Sequence, residues 1–344
     1  MIRFNNDYNH GAHPAILDAL QATNEESYGG YGIDKWCERA SEAIKAHLDC
    51  PEAAVHFLVG GTQTNYTVIA AALRPFQSVI SADSGHINVH ETGAVENTGH
   101  KIQALPNTDG KITAEQIAAE AEQYWTCPIR EHFTQPKMVY LSFPTEYGTI
   151  YSKKELEDIS AVCKKYGMYL FVDGARMAYG LASSKNDVTL ADLARLTDAF
   201  YCGGTKCGTL FGEAVVISNP VLAEDFRSMI KMDGAMLAKG WLLGLQFATL
   251  FENELYFEIG RQADAYAMQI KEAFAEKGIP AYIESFTNQQ FVVVTNEQKE
   301  KLAQKYIFED EAKIDDDHSC IRFCTSWSTK KEEIEALVTD IAML

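Results

Sequence analysis

No two of the eight cysteines form a Cys-x-x-Cys pair. They are Cys37, Cys50, Cys127, Cys163, Cys202, Cys207, Cys320 and Cys324, and their spread lacks the spacing of a disulfide framework. That pattern excludes a small stapled domain and predicts buried free thiols in a reducing compartment. Long apolar runs are also missing. The longest, 241–251, contains Gly244 and Gln246, is too short to span a bilayer, and reads as a buried helix. The opening Met1-Ile2-Arg3-Phe4-Asn5-Asn6-Asp7 has no apolar signal-peptide core, which predicts a cytoplasmic protein. Positive charge is scarce: 30 Lys and Arg stand against 48 Asp and Glu, for a formal net charge of −18. A field of that sign repels phosphate backbones and anionic lipids, which argues against nucleic acid and membrane partners. One small phosphorylated ligand in a locally favourable pocket is still compatible with it. No internal repeat, low-complexity tract or long linker is present, and no metal is expected.

The chain does have 344 residues, 47% of them hydrophobic and 23% charged. That is enough apolar material for a large core, and the length suits a large α/β domain with a smaller companion. Apolar runs rich in β-branched and aromatic residues predict buried strands at 78–82, 138–143, 168–172, 199–202 and 213–217. Helical patterns alternate with them, at 64–73 after a Gly-Gly turn and at 153–166. The second begins after Ser152, an N-cap with Glu155 three residues on, and stops at Gly167. This alternation predicts a mostly parallel sheet covered on both faces. Beyond about residue 240 the pattern changes. A helical region at 241–277 is followed by strands at 290–295 and 320–327 and helices at 299–306 and 330–343. We therefore expect a large domain over 1–240, including an N-terminal arm, and a small α+β domain over 241–344.

Three clusters carry chemistry. Val59-Gly60-Gly61-Thr62-Gln63-Thr64-Asn65 opens a helix, where exposed N–H groups and the helix dipole favour a phosphate and Thr62 adds a hydroxyl. It has neither Walker nor dinucleotide spacing; taken alone it is more often a simple turn. Tyr169-Leu170-Phe171-Val172-Asp173-Gly174-Ala175-Arg176 is an apolar strand ending in a carboxylate, at the strand end where open α/β sheets bind ligands. Such a carboxylate can keep a pyridine nitrogen protonated, or it can simply cap the next helix. Arg176 could pair with a ligand carboxylate or phenolate. Ala199-Phe200-Tyr201-Cys202-Gly203-Gly204-Thr205-Lys206 puts a lysine at the end of another apolar strand. Desolvation there lowers an amine's pKa, as imine formation needs; a surface-turn lysine is the plain alternative.

In this order and spacing the clusters resemble pyridoxal 5′-phosphate (PLP) enzymes of fold type I, and within them the threonine aldolase/β-eliminating lyase family. The resemblance runs through nearly the whole chain and is strongest in Gly61-Thr62-Gln63-Thr64-Asn65, Val172-Asp173-Gly174-Ala175-Arg176 and Thr205-Lys206. His86 with Glu91, Tyr31-Gly32 and Arg322-Phe323 support it. The resemblance implies that Lys206 carries PLP as a Schiff base and that Asp173 binds the pyridine nitrogen. His86 would stack on the ring, and Gly61, Thr62 and Thr205 would sit at the cofactor. Arg176 and Arg322 would face the carboxylate of a small amino-acid substrate, with Asn6 nearby. Tyr31 would reach into a neighbouring subunit's site in a homodimer or homotetramer. Without the resemblance, His86 reads as an ordinary surface or core histidine.

The chain departs from the family pattern at three places. Glu146, in Phe143-Pro144-Thr145-Glu146-Tyr147-Gly148-Thr149, stands where threonine aldolases usually carry a histidine. Lys231, in Lys231-Met232-Asp233-Gly234, stands in an altered loop, where the resemblance implies that it binds the cofactor phosphate in place of an arginine. Phe4-Asn5-Asn6-Asp7 replaces an Arg-Ser-Asp signature. The implied activity is retro-aldol cleavage of a β-hydroxy-α-amino acid to glycine and an aldehyde. The alternatives are β-elimination, racemisation or transamination on the same scaffold, or a non-catalytic ligand-binding relative. If burial raises its pKa, Glu146 is a base for the β-hydroxyl proton, with weak activity on threonine expected; otherwise it turns outward and solvates its loop.

Overall fold

A computed structural model describes residues 1–344. Its strands are β1 (Ile2–Arg3), β2 (Ala54–Leu58), β3 (Gln77–Ala82), β4 (Lys101–Leu105), β5 (Gln135–Ser142), β6 (Tyr169–Asp173), β7 (Ala199–Gly203), β8 (Glu213–Ile217), β9 (Gln289–Thr295), β10 (Tyr306–Ile307), β11 (Glu309–Lys313) and β12 (His318–Cys324). Seven of them form one sheet in the order β2-β8-β7-β6-β5-β3-β4. The five strands from β4 to β7 run parallel, and only β8 is reversed, antiparallel to both β7 and β2. The central strands are buried throughout, as expected of near-continuous apolar runs with helices on both faces. One apolar core lies on each face of the sheet, and a third joins the antiparallel sheet β11-β12-β9 to the helix Lys331–Ala342.

The helix predicted at 153–166 is Lys153–Tyr166. Ser152 and Glu155 form a reciprocal capping box, and Gly167 ends the helix in the left-handed conformation that glycine tolerates. The helix Gly61–Ala72 starts three residues earlier than expected, straight after an extended Gly60. The region 241–277 is two helices, Trp241–Phe251 and Leu255–Glu276, interrupted at Glu252-Asn253-Glu254. The break lets Phe251 and Tyr256 stack, with ring centroids 4.6 Å apart. The helix expected at 299–306 is Asn296–Ala303, because the Thr295–Gln298 capping box starts it early and Tyr306 joins β10. The strand expected to reach 327 ends at Cys324, where Thr325 and Ser326 bond to Asn288 and Thr329.

Packing does not follow a cut at residue 240. Phe247, Ala248, Phe251, Tyr256 and Ile259 belong to the larger core on the sheet. Ile270 and Phe274 of the same long helix belong to the third core. The N-terminal arm also crosses over: β1 pairs in parallel with β10, and Phe4 is fully buried among Ile321, Phe323 and Ile334. All eight cysteines are free. No helix is long and apolar enough to cross a membrane.

Candidate active site

A cavity of about 510 Å³ opens at the carboxyl ends of the parallel strands. Asp173, the last residue of β6, lies in its wall. Its neighbours β5 and β7 each supply a tyrosine to the same face. Tyr140 donates to Asp173 Oδ2 at 2.6 Å and Tyr201 to Oδ1 at 2.5 Å. Asn65 Nδ2 adds a third bond at 2.9 Å and the Ala175 N–H a fourth at 2.9 Å. Burial alone would push this carboxyl up. The His86 side chain and the bonds from Tyr140, Tyr201 and Ala175 outweigh it, so Asp173 is held below the usual carboxylate range. A side chain at Gly174 would collide with the Tyr201 carbonyl, so the turn after Asp173 needs glycine for its close approach to β7.

Asn65 Nδ2 also reaches Glu91 Oε1 at 2.8 Å, and the same oxygen lies 2.7 Å from His86 Nδ1. Asp173, Asn65, Glu91 and His86 thus form one connected chain. A proton on Nδ1 held by Glu91 leaves His86 Nε2 as the exchangeable position. Gly61 and Thr62 stand at the start of their helix, on the cavity wall. A Cβ at Gly61 would come within 3.2 Å of the Tyr201 hydroxyl, so glycine lets the helix terminus approach. Lys206 follows β7 and lines the cavity beside Thr205. Burial, then the charge of Arg176, lowers the Lys206 pKa, against the opposing pull of Asp7, Asp173 and Glu213.

Glu146 points inward. Its Oε1 accepts from Ser142 Oγ at 2.6 Å and from the His86 N–H at 2.9 Å. Burial raises its pKa, and the Asp173 charge adds to that against the lowering effect of those bonds. The outward-turned alternative is therefore not what the fold adopts. A second cavity of about 390 Å³ shares His90, Glu146 and Arg322 with the first and adds Asp83, Asn107, Tyr147 and Glu311.

The remaining expected residues divide. Arg176 and Arg322 line the cavity, but each already has partners. Arg176 Nε and Nη2 clamp the buried Asp7 at 2.7 and 3.1 Å. Arg322 contacts Glu311 at 3.0 Å and the Asn5 carbonyl at 3.2 Å, with its Nε buried and unpartnered. Asn6 does not line the cavity; its Oδ1 accepts from the Tyr8 N–H, and Tyr8 takes the place at the wall. Tyr31 and Lys231 are also outside it. They meet each other instead, with Lys231 Nζ 4.9 Å from the Tyr31 ring centre, and Tyr31 borders a separate cavity of about 350 Å³. The sequence reading assigned no role to Tyr140, Tyr201, Ser142, Glu213 or Asp7. The signal for the first three was period-two alternation: Tyr140 and Ser142 register against Phe171 and Asp173.

The site fits PLP. Asp173 is a charged acceptor placed for a protonated ring nitrogen, and Lys206 is a desolvated amine. A helix terminus flanked by Thr62 and Thr205 suits a phosphate. The Asn65 Oδ1 atom at this wall is buried and unpartnered.

Comparison with known proteins agrees. The low specificity L-threonine aldolase of Pseudomonas aeruginosa is 28% identical over 349 residues, covering 99% of this chain and 97% of that protein. The solved threonine aldolase of Leishmania major is 43% identical and superposes with a TM-score of 0.97, covering 100% of this chain and 99% of that one. Aspartate aminotransferase of Thermus thermophilus shares the fold at 14% identity and a TM-score of 0.70, covering 100% and 91%. The architecture is that of PLP enzymes of fold type I. A match to the beta-eliminating lyase family extends over residues 8–297, and the chain belongs to that family.

Proposed function

We propose that the protein is a PLP-dependent lyase that cleaves a β-hydroxy-α-amino acid to glycine and an aldehyde, as threonine aldolases do. The observation that carries this reading is the hydrogen-bonded chain Asp173–Asn65–Glu91–His86, whose Asp173, Asn65 and His86 line one cavity with the desolvated Lys206. Aminotransferases share the fold, so fold alone does not choose the reaction.

Lys206 would hold PLP covalently, Asp173 would bind its ring nitrogen, and Gly61, Thr62 and Thr205 would take its phosphate. Bound there, PLP supplies an electron sink for bonds at the substrate α-carbon. The protein's own work is positioning and proton transfer. Arg322 offers its unpartnered Nε edge to the substrate carboxylate, and Arg176 is braced by Asp7 close by. His86, fixed by Glu91 through Nδ1, presents Nε2 to accept the β-hydroxyl proton. Glu146, raised by burial, is a second acceptor at the junction of the two cavities. Its position and charge favour β-substituents other than the methyl of threonine. Tyr31 and Lys231 serve a neighbouring subunit's site in a homodimer or homotetramer. The free cysteines support a reducing, cytoplasmic setting.

The test is chemical. Borohydride should fix PLP to Lys206 in the native protein, as mapped by peptide mass. Incubation with a panel of β-hydroxy amino acids should release glycine and the matching aldehyde. Lys206→Ala should abolish both results. Release of pyruvate or a keto acid in place of glycine would reassign the reaction to elimination or transamination.

A further inference from the structure

Glu213 lies on the cavity floor and takes part in none of the steps above. It is the first residue of β8, directly opposite Gly203 of β7, and only 3% exposed. One carboxyl oxygen is 3.0 Å from the Gly204 N–H and the other is 2.8 Å from Thr205 Oγ1. The Gly212 N–H donates to the same Thr205 hydroxyl oxygen at 3.1 Å. Given the cofactor site proposed above, we infer that Glu213 works as a neutral acid that turns the Thr205 hydroxyl proton into the cavity and so makes Thr205 a donor to the cofactor phosphate.

The argument is a count of protons. Thr205 has one hydroxyl proton. Beside a carboxylate it points at Glu213, so the hydroxyl shows the cavity only lone pairs and a full negative charge stands behind a phosphate site. Beside a carboxylic acid the Glu213 O–H donates to Thr205 Oγ1, while the Glu213 carbonyl still accepts from Gly204. The Thr205 proton is then free, since its other acceptor, the Gly212 carbonyl, is 3.5 Å away. A neutral acid keeps the Gly204 and Gly212 bonds, leaves the Thr205 proton for a ligand in the cavity, and removes the repulsion.

The surroundings favour the neutral form. Burial is the foremost cause, and it lifts the Glu213 carboxyl to about 8. The bonds from Thr205 and Gly204 and the Lys206 charge act against it, and the Asp173 charge acts with it. The Glu213 charge is also felt at Tyr201, Cys202, Cys207 and Tyr256, whose own pKa values it raises. Across the sheet, β2 presents Leu58.

Binding of pyridoxamine 5′-phosphate to the full-length chain tests this, because that compound has the phosphate but no aldehyde to bond Lys206. Glu213→Gln reproduces the neutral acid: its amide donates to Thr205 and accepts from Gly204. The native protein and Glu213→Gln should bind alike near neutrality. Relative to the variant, the native Kd should rise about tenfold between about pH 7 and about pH 9, as the competent protonated fraction falls. Thr205→Val should bind more weakly throughout and show a smaller rise, which keeps the test decisive if Glu213→Gln fails to fold. Identical pH dependence in the native protein and Glu213→Gln, or an undiminished rise in Thr205→Val, would overturn the inference alone. Failure of the native protein to bind the compound at any pH would overturn the proposed cofactor site and this inference with it.

Discussion

The end of β6 and the middle of the long helix Leu255–Glu276 each bury an aspartate to the same depth. Asp173 is 4% exposed and Asp264 is 5% exposed. Asp173 receives four hydrogen bonds and is held ionised. Asp264 has no partner on either oxygen, and burial lifts it to about 9. Depth alone therefore does not decide the charge of a buried acid; the donors arranged around it do. Glu146 falls between the two, with two donors on one oxygen and a pKa raised above the usual range. Donors from two strands and a helix converge on Asp173, and none reaches Asp264.

The largest expected effect comes from breaking the donor-rich end. Asp173→Asn removes the charge that Tyr140, Tyr201 and Asn65 are arranged to stabilise, and loss of a buried partner of this kind costs about 3–5 kcal/mol. We expect kcat on the best substrate to fall by roughly two to three decades, with weaker retention of PLP on dialysis. Glu146→Gln tests the intermediate case. It keeps an acceptor for His86 and Ser142 but cannot take a proton. The rate should fall about a hundredfold, at the modest end of general-base effects, and lose the rise with pH that accompanies deprotonation of Glu146. An unchanged pH profile would return proton acceptance to His86 alone.

The smallest effect is on stability. Below about pH 4 Asp264 is protonated whether the chain is folded or not. Between there and about pH 9 only the folded form holds that proton, so native stability falls as pH rises through this window. Asp264→Asn should flatten that fall and raise Tm near neutrality by roughly 2–4 °C. A lower Tm at pH 7 would show that Asp264 has a partner in solution and that the contrast with Asp173 is wrong.

What the sequence makes legible is mostly local. The helix Lys153–Tyr166 and the strand Glu213–Ile217 can be read to the residue, the first from its caps and the second from the β-branched run that follows Glu213. By contrast β4, Lys-Ile-Gln-Ala-Leu, is a half-exposed strand whose mixed pattern gives no clean period. The break between Phe251 and Leu255 has no strong local signal, and the stacking of Phe251 on Tyr256 that it permits is visible only in the fold. In the site, Asp173 and Lys206 stand out because charge at the end of an apolar strand is conspicuous. Tyr140 and Tyr201 do not, because their meeting at Asp173 depends on which strands become neighbours. Tyr31 and Lys231 were assigned through family resemblance, and within one subunit they lie away from the cavity.

The pairing of β1 with β10 also bears on how the enzyme is made. Phe4 and Asn5 are translated long before their partners Ile321, Phe323 and Arg322. Arg322 contacts the Asn5 carbonyl across 317 residues of chain. Until β10 and β12 have been made, β1 has no strand to join and Phe4 lacks its partners Ile321 and Phe323. The Arg322 end of the pocket therefore forms only once β12 has met the segment around Asn5.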